Sequence, residues 1–131
     1  MLTVEGLVTR PSPYPVPETL DRLEALLRSK NVTIFARVDH GGEAEKAGLS
    51  MPPTQVLIFG SPNGGTPLMI ANPLSAIDLP LKALAWQESN GAVFLSWTDP
   101  HFLQQRFSLP QEVMKPIESL TALIEASLIG V

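Results

Sequence analysis

The sequence predicts an α+β fold: one mainly antiparallel sheet of four to five strands, with two long helices on one face. Three observations predict it. Alternating or continuous apolar runs of strand length recur through the chain, at 32–40, 54–60, 81–86 and 92–97. Two segments instead carry apolar residues at helical spacing, one near each end of the chain. The order β-α-β-β-β-β-α, with minor turns, does not alternate strand and helix as a parallel doubly wound sheet would.

Residues 2–10 read as the first strand, closed by the proline-rich "RPSPYPVP", whose fixed φ angles and missing N–H donors suit an extended connection. From Pro17 to about Ser29, Leu20, Leu23, Leu26 and Leu27 define one face of an amphipathic helix, with Glu18 and Asp21 in the first turn, where the helix dipole favours acids. In "VTIFARVDH" the residues Val32, Ile34, Ala36 and Val38 alternate with Thr33, Phe35, Arg37 and Asp39, the period of a half-buried strand. A short helical turn over 43–48, ended by Gly48, precedes "TQVLIFG", which is apolar on both faces and suits a central strand covered on both sides.

The strands at 81–86 and 92–97 are joined by "ESNG", where Asn90-Gly91 is a strong hairpin signal. Residues 100–107 form another helical turn with Asp99 as its N-cap, and 110–114 a further turn or kinked extension. Ile117, Leu120, Ile124 and Leu128 mark the last helix, over 116–128, with Pro116 in its first turn, because a proline deeper inside would cost about 3 kcal/mol.

Composition bounds the function. At 131 residues and 14.2 kDa the chain has the length of one domain, and 44% apolar with 17% charged residues and a mean hydropathy of +0.15 make it globular with a somewhat apolar surface. Such a surface predicts a homodimer, because large apolar patches are uncommon on monomers. A net charge of −4 and a pI near 5.0 oppose nucleic acid binding, which depends on basic side chains neutralising phosphates. There is no cysteine, hence no disulfide, thiol nucleophile or cysteine zinc site. No basic leader and no long uninterrupted apolar stretch is read, so a cytoplasmic protein without membrane contact is expected.

Several blocks together, "RPSPYPVPETLDRL", "FARVDHGGEAEKAGL", "PPTQVLIFGSPNGGTPLM", "IDLPLKALAW" and "WTDPHFL", resemble the domain-of-unknown-function family 302, in the same order and over nearly the whole chain. The resemblance implies a TATA-binding-protein-like fold, a dimer and no established biochemical activity. A fold name of this kind carries no implication of DNA binding, since one fold hosts many functions.

Three places could carry chemistry. "GSPNGGT" follows a strand and has Gly60 and Gly65 at phosphate-loop spacing, but the lysine and the Mg²⁺-holding hydroxyl of such a loop are missing. Asn63-Gly64-Gly65 therefore reads as a turn, Thr66 as a helix N-cap and Pro67 as the first residue of a short helix ended by Asn72-Pro73. The alternative is a pocket wall in which Gly64, Gly65 and Thr66 let a small ligand approach the backbone. Lys82 is the one cation in "LPLKALAW", and either snorkels to the sheet edge, pairs with Asp78 or Asp39, or holds an anion. Trp86 and Trp97 read as core or interface residues, and the apolar helix "TPLMIA" offers Leu68 or Met69 to a dimer interface.

The third place is "DHGGEAE", where Asp39 and His40 are candidates for acid–base chemistry and for ligand binding. A metal held by His40, Glu43 and His101 is the weaker alternative there; no cofactor or resident metal is expected, and His101 otherwise reads as a surface or interface residue. Glu43 and Glu45 have a simpler use as acids in the first turn of a helix, and a structural or capping role is the other reading of the segment. The functional expectation is a dimeric binding or interaction module with a modest pocket for an unidentified small molecule, or a surface for a protein partner. Its alternative is a small enzyme using Asp39 and His40.

Overall fold

A computed structural model describes residues 3–129. Its five strands are β1 (Leu7–Ser12), β2 (Thr33–Asp39), β3 (Thr54–Gly60), β4 (Leu81–Gln87) and β5 (Val93–Thr98). The helices are α1 (Val16–Ser29), α2 (His40–Lys46), α3 (Pro62–Ala71), α4 (Pro100–Phe107) and α5 (Lys115–Ala126), with 3-10 turns at Pro73–Asp78 and Gln111–Val113. The strands form one sheet in the order β1-β5-β4-β3-β2, and every neighbouring pair is antiparallel. The expected α+β layout is the observed one.

One face of the sheet carries the core. Leu57 and Phe59 of β3, Leu81, Ala83 and Ala85 of β4, and Leu95 and Trp97 of β5 are buried with Leu20, Leu23 and Leu27 of α1 and Ile117, Leu120 and Ile124 of α5. Period-2 alternation then puts Val56, Ile58, Leu84, Trp86 and Phe94 on the other face, where all five are half-buried and, among the described residues, no helix lies over them, so β3 is covered on one side and not on both as expected. Trp86 and Phe94 stack there with centroids 5.0 Å apart, and Trp86 Nε1 donates to Ser96 Oγ at 2.9 Å. Ser96 Oγ also meets Thr9 Oγ1 at 2.8 Å, so this apolar face has a hydrogen-bonded polar thread across three strands.

Several local expectations are corrected. β1 starts at Leu7 and runs through Pro11 to Ser12, so "RPSP" is partly strand; Pro11 is accommodated because β1 is a sheet edge and its N–H is not required by a second neighbour. The expected start at residue 2 lies outside the described residues. The strict alternation of β2 fails at a bulge between Ile34 and Ala36. Ile34 pairs with Phe59 on the helix face, Phe35 is the extra residue, and Arg37 returns to the helix face, where it bonds Asp21 at 2.7 Å, the Gln55 side chain at 3.0 Å and the Pro17 carbonyl at 2.9 Å. Asp21 therefore serves an α1–β2 tie.

α2 begins at His40, earlier than the expected 43, because Asp39 caps it. α3 begins at Pro62, so Asn63-Gly64-Gly65 is helical rather than a turn, Thr66 is not the N-cap, and Pro67 lies inside the helix. The cause is tertiary: Gly64 is buried against α5, with a would-be Cβ 3.4 Å from Pro116 Cβ, a helix–helix approach that a turn would not present. α1, α4 and α5, the Asp99 cap on His101 N (3.0 Å) and the β4–β5 hairpin with Gly91 at φ +94 match expectation within two or three residues. Asn72 ends α3 and ties it to α4, accepting from Leu74 N at 3.0 Å and donating to the Phe107 carbonyl at 2.9 Å.

Candidate functional site

Antiparallel pairing puts the end of β3, the start of β4 and the start of β2 at one end of the sheet, and the end of β2 at the other. The sequence candidates are divided by this. Gly64, Gly65, Thr66 and Lys82 lie toward the first end; Asp39 and His40 lie at the second. They cannot form one site.

At the second end the Asp39 carboxylate accepts from the Gly42 amide at 2.9 Å and both Asp39 and His40 are exposed. Gly42 allows this bond, because a Cβ there would stand 2.6 Å from Asp39 Oδ2. The carboxylate is thus engaged by the backbone rather than by the imidazole. Glu43 shares α2 with His40, and its carboxylate is 3.5 Å from Lys46 Nζ. His101 begins α4 beyond the far end of β5, three strand spacings or about 14 Å across the sheet from β2. The grouping of His40, Glu43 and His101 is therefore not assembled, and among the described residues no set of three His, Asp or Glu side chains could hold a metal.

Lys82 shares the open face with Leu84 and Trp86, is exposed, and reaches the Pro80 carbonyl at 3.5 Å. Asp78, one of its two suggested partners, pairs with Arg106 at 2.9 Å. These three residues border a cavity of about 150 Å³ with Trp97 and Phe102. Gly64 faces a shallower depression of about 410 Å³ beside Pro116 and Leu123.

A third, mostly apolar cleft lies directly after β3, with a volume of about 280 Å³. Its walls are Phe35 from the β2 bulge, Pro62, Gly65, Thr66 and Met69 of α3, Leu79 and Pro80 of the loop before β4, and Ile117 and Leu120 of α5. Gly60 and Ser61 form the corner where strand becomes helix, and the Leu79–Pro80 peptide is cis. Among the described residues no ionisable side chain lines it. Ser61 occupies the N-cap position of α3 with extended backbone (φ −140, ψ 136), yet its hydroxyl makes no capping bond. The first-turn amides of Gly64 and Gly65 donate to the Ser61 carbonyl at 3.0 and 2.9 Å, so they are not presented to an anion. The glycine-bearing loop after β3 thus shapes an apolar wall, not a phosphate cradle.

Of the sequence candidates, Gly65 and Thr66 line this cleft, while Phe35, Ser61, Met69, Leu79 and Pro80 were missed. Phe35, the extra residue of the bulge on the edge strand β2, is 55% exposed although aromatic. The interface expectation is also divided: Leu68 is buried in the core, whereas Met69 belongs to the cleft.

The chain is thus an α+β domain, an open antiparallel sheet backed by helices with an apolar cleft at one strand-to-helix corner. The chain belongs to the family described as domain of unknown function DUF302, whose model matches residues 8–127. It is similar in fold to the crystal structure of an uncharacterized conserved DUF302 protein from Bacillus stearothermophilus, with a TM-score of 0.78 and 20% identity over 95% of this chain and 97% of that one. It is also 47% identical over 104 residues, 79% of its length, to proteins named fluoride-specific ion channel FluC 1 from Brucella suis and from Brucella abortus, covering 41% and 38% of them. The chain thus spans about two-fifths of these relatives. Among the described residues no helix is long and apolar enough to cross a membrane.

Proposed function

We propose that this chain is a non-catalytic binding module of the cytoplasm that holds a small molecule in the cleft after β3 and works as a homodimer. The observation that carries the reading is the cleft itself: about 280 Å³, assembled from β2, β3, α3, α5 and the Pro80 loop, and lined without a single ionisable group. Small-ligand sites are concave and mostly apolar with a few polar groups, and this one offers the Ser61 and Thr66 hydroxyls. An acid–base enzyme at Asp39 and His40 has less support, because the carboxylate is engaged in capping α2.

Self-association is supported by the uncovered sheet face. Five strands at about 4.8 Å spacing and six residues at about 3.3 Å give roughly 500 Å² before corrugation, of the order of the 800 Å² per partner found in standard interfaces. Packing against a second copy would cover Val56, Ile58, Leu84, Trp86 and Phe94 together. In the longer relatives, a module of this kind would bring a ligand-binding cleft to a protein that also carries a channel portion.

The test is a thermal-shift screen of small metabolites, with amide chemical shifts used to locate each hit. Hits that move the Gly60, Ser61 and Gly65 amides support the reading; hits confined to the α2 end, lost in His40→Ala, would replace it with the alternative.

A further inference from the structure

The cleft after β3 carries enough chemical detail to restrict what it takes, an inference that rests on the binding reading above. We infer that its ligand is an uncharged, flat hydrophobe of about two fused rings bearing one hydrogen-bonding group. Charge is excluded by the lining, which has no Lys, Arg, His, Asp or Glu. An ion entering would shed its water with no counter-charge to replace it. The Gly64 and Gly65 amides offer no substitute, since both are turned onto the Ser61 carbonyl.

Size follows from volume. An apolar cavity of about 150 Å³ accommodates benzene. The 280 Å³ here is a little under twice that, which corresponds to a bicyclic ring system.

Shape follows from Gly60. A Cβ on Gly60 would lie 3.5 Å from Pro80 Cβ and 3.6 Å from Phe35 Cε2, so the glycine keeps the strand end clear beside both rings. The Phe35 and Pro80 rings give the cleft flat apolar faces, against which a planar guest makes more contact than a branched one. Phe35 supplies an aromatic face for stacking, and Met69, unbranched and polarizable, adapts to the outline of the guest.

The single polar function follows from Ser61. Its hydroxyl is at the cleft corner, in extended backbone, and does not cap α3; neither it nor the Thr66 hydroxyl has a hydrogen-bond partner among the described residues. A neutral hydroxyl or carbonyl on the ligand would satisfy it, at the rim where Thr66 is exposed to water.

The test titrates the whole chain with three probes of one ring skeleton, naphthol, naphthalene and naphthoate, by calorimetry and amide chemical shifts. Naphthol should bind at least about tenfold more tightly than naphthoate and move the Gly60, Ser61 and Gly65 amides. Ser61→Ala should bring naphthol and naphthalene to within about twofold of each other. Gly65→Leu, whose side chain grows toward Met69 and Leu79, should weaken naphthol by about tenfold or more, its fold being checked by amide dispersion. Phe35→Ala, at an exposed position that does not carry the core, should weaken it severalfold and serves if Gly65→Leu does not fold. Naphthoate binding as tightly as naphthol at the same amides would overturn the ligand class while leaving the binding reading intact. Failure of all three probes at millimolar concentration to move those amides would overturn both.

Discussion

Gly64 and Pro116 set the distance between α3 and α5: a Cβ on Gly64 would lie 3.4 Å from Pro116 Cβ and 3.9 Å from Leu120 Cδ1. Its neighbour Gly65 has ordinary space, with Met69 Cε and Leu79 Cδ1 at 3.8 and 3.9 Å from the same construction. Two adjacent helical glycines thus answer to different constraints. Replacing Gly65 with Ala should stabilise the fold by about 0.5–1 kcal/mol, because alanine loses less backbone freedom on folding. Gly64→Val should destabilise it by about 1–3 kcal/mol, because the added carbons press on Pro116 and force the helices apart. Urea midpoints of the two variants check this; a shift of the same sign in both would refute the distinction.

Asp39 is expected to matter for stability and not for binding. Removing its cap in Asp39→Ala should cost about 1 kcal/mol, while Asp39→Asn, which keeps a side-chain oxygen for the Gly42 amide, should be nearly neutral. Because the cap is at the opposite end of the sheet from the cleft, neither change should alter naphthol affinity. A variant that folds normally but no longer binds would return Asp39 to the list of site residues.

The open sheet face should hold the dimer together. Leu84 is central on it, between Val56 of β3 and Ser96 of β5. Leu84→Arg would put a charge in that apolar contact with no partner, a change expected to cost several kcal/mol of association and to leave the monomer folded. Analytical ultracentrifugation should then find a species of 14.2 kDa for the variant and twice that mass for the parent chain. A parent chain that sediments as a monomer at micromolar concentration ends the dimer reading.

How far the sequence reached depends on the range of the interactions involved. α1 and α5 were legible because Leu20, Leu23 and Leu27, and Ile117, Leu120 and Ile124, lie on one stripe each, a pattern that any packing partner would use. The β4–β5 hairpin was legible from Asn90-Gly91, and the Asp99 cap from its place before Pro100, since both act within three residues. The start of α3 was misread for the opposite reason. "NGG" has turn propensity, and its helical state is decided by a contact with Pro116, more than fifty residues away.

By itself the sequence determined the α+β layout, the apolar stripes of α1 and α5, and the absence of phosphate-loop and cysteine chemistry, because each depends on residue type and local period. Only the tertiary structure decided that Asp39 and His40 are at the opposite end from Gly65 and Thr66, since strand order and direction set that separation. It alone decided the bulge that brings Arg37 to the helix face with Ile34, and the meeting of Phe35, Pro80, Met69 and Ile117 around one cleft. These four residues come from distant parts of the chain, and no short-range period records which of them will share a wall. Their apolar character was visible, but their adjacency is a product of chain crossing and helix packing, which is why the cleft appears only in three dimensions.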